Sequence, residues 1–134
     1  MKTTLAIIGA GPGLGQVAAR RFGAEGFNVA LISRSQEKVA AIASDLNDAG
    51  ITAPGYAADV RDAESLDTAL VRAGQELAAV EILQYSPVPS KEYLRPVLET
   101  GREELRSAIE FSALDASAAI HTVLPFMRAL GRLH

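Results

Sequence analysis

Seven residues near the amino end limit this chain more than any others: Gly9-Ala10-Gly11-Pro12-Gly13-Leu14-Gly15. They stand between a short apolar run, Leu5–Ile8, and a segment over Leu14–Ala24 in which Leu14, Val17, Ala18 and Phe22 recur at helical spacing. A continuous apolar run suits a strand buried on both faces, as in a parallel sheet. Glycines at the junction let the backbone turn sharply and bring bare main chain to a helix N-terminus. Unpaired N–H groups and the positive end of the helix dipole collect there, which favours a bound phosphate. Pro12 stiffens the loop.

The rest of the chain repeats the strand-then-helix alternation. Val29–Ile32 reads as a second strand. A helix capped by Ser33 or Ser35 follows, with Val39, Ile42, Ala43 and Leu46 on its apolar face. Gly26 punctuates the first helix and Gly50 stops the second. Residues 51–58 form a weaker third strand ending at Asp59, Arg61–Leu77 is helical, and Val80–Gln84 is a fourth strand. After an irregular stretch with prolines at 87, 89 and 96, Thr100 and Glu103 sit at capping-box spacing. From there to Leu130 the pattern is helical, with Leu105, Ile109, Leu114 and Ile120 on the apolar side and a break or kink expected at Pro125. This order implies a doubly wound, three-layer α/β/α (Rossmann) domain over residues 1–134 with a parallel sheet of about four strands, for which the Rossmann order 3-2-1-4 is the expectation.

The glycine spacing narrows the choice of phosphate loop. A GxGxxG fingerprint starting at Gly9 or Gly11 would need a small residue where Leu14 or Gln16 stands. No Gly-Lys-Ser/Thr follows, which excludes a Walker loop. The spacing that fits is GxxxGxG on Gly9, Gly13 and Gly15. With the features after the second and third strands, this pattern resembles the short-chain dehydrogenase/reductase family over essentially the whole chain. Ile8 departs from the family's usual threonine before the first glycine. The resemblance implies hydride transfer between a nicotinamide cofactor and a carbonyl or alcohol carbon. It also implies cofactor contacts at Gly9, Gly11, Gly13, Leu14, Gly15, Ser33, Arg34, Asp59, Val60 and Ser86.

Arg34 lies 19 positions beyond Gly15, just past the second strand. An NAD-binding fold usually has an acid about 20 residues on, bonding the ribose 2′-hydroxyl. Here the chain reads Ser33-Arg34, with no acid before Glu37. A guanidinium attracts the 2′-phosphate that a carboxylate would repel, which favours NADP(H) over NAD(H). Lys38, one helical turn on, adds to the field or is surface decoration. In the family, an Asp at the position of Asp59 contacts the adenine amino group and the following apolar residue, here Val60, packs on the ring. Asp59 is also placed to cap the helix starting near Arg61.

The family's acid–base pair is a tyrosine with a lysine four residues later, the cation drawing the phenol pKa toward working pH. The tyrosines are Tyr56, Tyr85 and Tyr93, and four residues beyond them stand Val60, Pro89 and Val97. No YxxxK exists in this chain, so no catalytic residue is assigned. After the fourth strand Tyr85-Ser86-Pro87-Val88 replaces the usual Asn-Asn-Ala-Gly, and the family's helical asparagine falls at Ser112. His121 and His134 form no metal or nucleophile pattern, and the chain has no cysteine. The net charge of −3 disfavours nucleic acid or an anionic membrane as partner. No apolar run approaches the length of a membrane span, and the amino end does not read as a signal peptide, so a cytoplasmic protein is the expectation.

The expected function is the cofactor-binding portion of an NADP(H)-dependent oxidoreductase, truncated before its catalytic residues and not competent to turn over alone. The alternative is a non-catalytic dinucleotide sensor or scaffold. An open fourth-strand edge and a partnerless last helix predict a homodimer.

Overall fold

A computed structural model describes residues 2–89 and 91–131. Four parallel strands, β1 (Thr4–Ile8), β2 (Asn28–Ser33), β3 (Gly55–Ala57) and β4 (Val80–Tyr85), form one sheet in the order β3-β2-β1-β4. The crossovers are α1 (Leu14–Ala24), α2 (Gln36–Asp48) and α3 (Ala63–Glu76). Beyond β4, α4 (Arg102–Ile109) and α5 (Asp115–Ala129) are joined by a π-helical stretch, Glu110–Leu114. The doubly wound three-layer fold expected from the alternation is the one observed.

Strand β1 shows why both faces must be covered. All five of its residues are buried, and successive side chains point to opposite faces. Leu5 and Ile7 join Val29 and Leu31 against Val39 and Leu46 of α2 and Ala19 of α1. Ala6 and Ile8 join Ala30 and Ile32 against Leu66 and Leu70 of α3 and Val123 of α5. Each fully buried Leu, Ile or Val is worth about 1.5–3 kcal/mol. The register sets Ile8 beside both Ile32 and Tyr85, so β1, β2 and β4 end together at one edge. β3 is short, but the chain before it already pairs with β2, where the Val29 and Leu31 amides donate to the Thr52 and Pro54 carbonyls.

Several terminators are where the sequence puts them. Ser35 caps α2, its hydroxyl accepting from the Lys38 amide at 3.3 Å. Gly26 and Gly50 take positive φ just past α1 and α2. Helix α3 differs from expectation. It begins at Ala63, not Arg61, and its cap is Asp62, which accepts from the Ser65 amide at 3.2 Å. Asp59 is three residues too early for that task and makes other bonds. At α4 the N-cap is Gly101, one residue beyond Thr100, and its amide donates to Glu104 Oε2 at 3.0 Å, a one-way bond because glycine has no side chain to return it.

The apolar faces of the outer helices also differ. Leu14 and Val17 are 71% and 65% exposed, and α1 packs through the buried Gly15 and Ala19 together with the expected Ala18 and Phe22, which are partly buried. Leu105, Ile109, Leu114 and Ile120 are all about half exposed or more, and the contact surface of α5 is Ala119 and Val123. The π-helical stretch adds a residue to one turn, so positions before and after it do not share a single 3.6-residue stripe. Pro125 does not break α5. Its missing N–H frees the carbonyl of His121, and His121 is exposed, so water can satisfy it.

The cap assignment is testable by chemical denaturation. Asp62→Ala should lower stability by about 1 kcal/mol, the usual cost of an N-cap carboxylate. Asp59→Asn should stay within about 0.5 kcal/mol of the parent. The reverse ranking would return the cap to Asp59.

Candidate functional site

The aligned strand ends open onto a cleft of about 230 Å³. Its wall combines the glycine turn (Gly9, Ala10, Gly11, Pro12), the end of β2 (Ser33, Arg34, with Lys38 beyond) and the segment after β3 (Ala58, Asp59, Val60, Arg61). Pro87, Val88, Tyr93 and Phe111 close the remaining side. Six of the residues assigned to cofactor contact from the sequence therefore share one cleft: Gly9, Gly11, Ser33, Arg34, Asp59 and Val60. Gly13, Leu14, Gly15 and Ser86 lie outside its wall.

The glycines have separate reasons for being glycine. Gly9 has φ +86, and a Cβ there would stand 2.4 Å from the Pro87 Cα. A Cβ on Gly15 would stand 3.3 Å from the Ala10 Cα, so this buried residue sets how closely α1 lies on β1. Nothing in the protein's own packing requires Gly11 or Gly13. A Cβ on Gly11 would reach only the Gly9 carbonyl oxygen at 3.9 Å, and one on Gly13 would meet nothing within 4 Å. Gly13 is the N-cap of α1 and makes no side-chain cap, so the Leu14 and Gly15 amides of the first turn are uncapped, whereas the Gln16 amide donates to the Gly11 carbonyl at 3.1 Å. Bare main chain at a helix N-terminus fits a phosphate-bearing ligand.

Electrostatics divide the cleft. Arg34 and Lys38 are both exposed, and no hydrogen bond or ion pair holds the Arg34 side chain among the described residues. Asp59 is engaged with Arg61 throughout. Its Oδ1 accepts from the Arg61 amide at 2.9 Å and from Nε at 3.2 Å, and its Oδ2 accepts from Nη2 at 3.0 Å. These bonds hold the Asp59 carboxyl below its ordinary pKa, with a smaller contribution from the charge on Arg34. Val60 is buried beneath it.

At the β4 end the polar groups are tied internally. The Tyr85 hydroxyl donates to the carbonyl oxygen of Phe111 in the π-helical stretch at 2.6 Å, and burial, with the nearby Asp115 charge, pushes its pKa up to about 12. The Ser86 amide donates to the Ile8 carbonyl at 2.9 Å, and its hydroxyl accepts from Gln84 Nε2 at 3.1 Å. Ser112, at the family's asparagine position, donates to the Ala108 carbonyl of its own helix at 2.6 Å. The rings of Tyr93 and Phe111 meet with centroids 5.7 Å apart. His121 is exposed, with Nδ1 2.8 Å from the Ser117 carbonyl oxygen, and His134 lies outside the described residues. No group of three or more metal-ligating side chains occurs among the described residues, and no helix there is long and apolar enough to cross a membrane.

Sequence reasoning missed Arg61, Tyr93 and Phe111. Arg61 had a usable signal, since it follows Asp59 by two positions at a strand end. The aromatic pair had none, because two irregular stretches far apart in sequence bring it to the cleft.

Fold and cleft define a Rossmann-type α/β unit with a glycine turn at the C-terminal edge of its sheet. Comparison with known proteins places it further. The family model for short chain dehydrogenase matches residues 3–132, and the chain belongs to that family. It is similar to 2,3-dihydro-2,3-dihydroxybenzoate dehydrogenase of Bacillus subtilis (strain 168), with 32% identity over 77 residues, 58% of this chain and 30% of that protein. Among solved structures, a short-chain dehydrogenase from Rhodopseudomonas palustris superposes with a TM-score of 0.84 at 27% identity, covering 96% of this chain and 59% of that one. The L-sorbose reductase from Gluconobacter frateurii, complexed with NADPH and L-sorbose, superposes with a TM-score of 0.84 at 23% identity, covering 98% of this chain and 50% of that one. The chain thus spans about half the length of these solved relatives.

The two kinds of glycine should separate in mutagenesis. Gly9→Ala should destabilise the fold by about 3 kcal/mol or more, because the added methyl meets backbone at a strained φ. Gly11→Ala should leave thermal stability within about 0.5 kcal/mol. Equal losses of melting temperature would mean that Gly11, too, serves the fold.

Proposed function

We propose that residues 1–134 form the cofactor-binding unit of an NADP(H)-dependent oxidoreductase that interconverts a carbonyl and an alcohol. The observation that carries this reading is the meeting of Arg34 and Lys38 with the glycine turn around one cleft. Main-chain amides of the turn and of α1 would hold the diphosphate, with Gly11 and Gly13 leaving room for its approach. Arg34, reinforced by Lys38, would hold a ribose 2′-phosphate. Asp59 would accept from the adenine amino group and Val60 would pack on the ring. Leu14, Gly15, Ser33 and Ser86 would line or shape the same path. When bound, the nicotinamide supplies the hydride. That the same fold holds NADPH in the L-sorbose reductase supports the choice of cofactor. A cytoplasmic location and self-association through β4 or α5 belong to the same proposal.

No YxxxK occurs among these residues, and the role proposed for them is to hold the cofactor. A second reading, a non-catalytic dinucleotide sensor or scaffold, is favoured by one observation. Ser112, where the family has asparagine, has its hydroxyl tied to Ala108 within its own helix.

Calorimetric titration tests the cofactor assignment. NADPH should bind more tightly than NADH. Arg34→Asp should weaken NADPH by about 10- to 100-fold, the worth of a charged hydrogen-bonded contact, with a much smaller effect on NADH. Equal effects on both cofactors would remove Arg34 from the site.

A further inference from the structure

The start of α3 does not depend on Arg61 for its cap. Helix α3 is capped by Asp62, and Arg61 precedes its first turn. The Arg61 side chain is 51% exposed, and an ion pair at that exposure adds little to stability. Yet the geometry is that of a planar fork on a carboxylate, two side-chain bonds and one from its own amide, all on Asp59 at the wall of the cleft.

Two consequences follow. A carboxylate offers about four acceptor positions. Arg61 fills two on Oδ1 and one on Oδ2, leaving a single acceptor on Oδ2. The plane and the free position of Asp59 are therefore set by Arg61 and not by solvent. The second consequence is electrostatic. The charged residues of the cleft wall are Arg34, Lys38, Arg61 and Asp59. Asp59 is the one carboxylate among them, and its field opposes a 2′-phosphate held by Arg34 and Lys38. Arg61 cancels that field at its source.

We propose that Arg61 is a positioning and selectivity residue of the cofactor site: it fixes the Asp59 carboxylate for one amino donor of the adenine and neutralises it toward a phosphate on the ribose. The inference rests on the dinucleotide reading given above and deepens it. Loss of the guanidinium acts on both cofactors through the adenine contact, and further on the phosphorylated one through the uncompensated charge. Lysine in its place keeps the charge and loses the fork.

The test is calorimetric titration of NADPH and NADH against the parent chain, Arg61→Gln and Arg61→Lys, with melting temperatures measured alongside. Arg61→Gln should weaken NADPH about tenfold and NADH about threefold, in the range for loss of a charged partner, so that the preference for NADPH falls. Arg61→Lys should weaken both while restoring that preference. Melting temperatures should stay level, as expected for an exposed ion pair. An unchanged NADPH-to-NADH ratio in Arg61→Gln would overturn the role of Arg61 while leaving the dinucleotide reading standing. A parent chain that binds neither cofactor would overturn the dinucleotide reading and this inference with it.

Discussion

The close approach of the Gly9 backbone to Pro87 is the contact on which the rest of the site depends. Ile8, Ile32 and Tyr85 stand level across three strands, and the chain must leave β1 between its two neighbours. It does so at φ +86, with its amide and that of Ala10 both donating to the Ile32 carbonyl. No side chain fits between this turn and the segment leaving β4. The turn thereby swings away from the sheet, and α1 starts with its N-terminus over the strand ends. Every other part of the cleft is measured from that point.

Chemistry then follows from what each strand end delivers. β1 delivers main-chain amides, β2 delivers cations, and β3 delivers a carboxylate already paired with its neighbour. β4 delivers groups that are satisfied internally, with Tyr85 clasping the π-helical stretch and Ser86 bonded to Gln84. The side of the cleft nearest β1–β3 is therefore open to a ligand, whereas the polar side chains at the β4 end are spoken for. That division is consistent with the proposed role of holding a nucleotide.

Strand positions, the glycine turn and the cation after β2 were legible because each is local: a run of apolar residues, a cluster of glycines, a fixed spacing. The glycines ending α1 and α2, and a serine cap for α2 at Ser33 or Ser35, were legible for the same reason. What escaped was set by longer-range geometry. The π-helical turn shifts the phase of the last helix, so Leu105, Ile109, Leu114 and Ile120 form no buried stripe although their spacing suggests one. Small residues share the packing: Ala19 and Gly15 in α1 and Ala119 beside Val123 in α5. A scale that rewards large apolar side chains passes over them. The cap of α3 was missed because two aspartates, Asp59 and Asp62, each suit a helix start, and only the bond to the Ser65 amide distinguishes them. The partnership of Asp59 with Arg61 was signalled only by their spacing of two positions at a strand end, and the fork itself depends on side-chain geometry.

The central claim is that one cleft holds a phosphorylated dinucleotide by the glycine turn at one end and by Arg34 with Lys38 at the other. Two-dimensional amide and guanidinium NMR during NADPH titration tests it most directly. The account predicts saturable shifts at Gly11, Gly13, Leu14 and Gly15, at Arg34 and Lys38, and at Asp59 to Arg61. With NADH the shifts at the turn should persist, and those at Arg34 and Lys38 should shrink. Shifts that bypass the turn, or none at all with either cofactor, would contradict it.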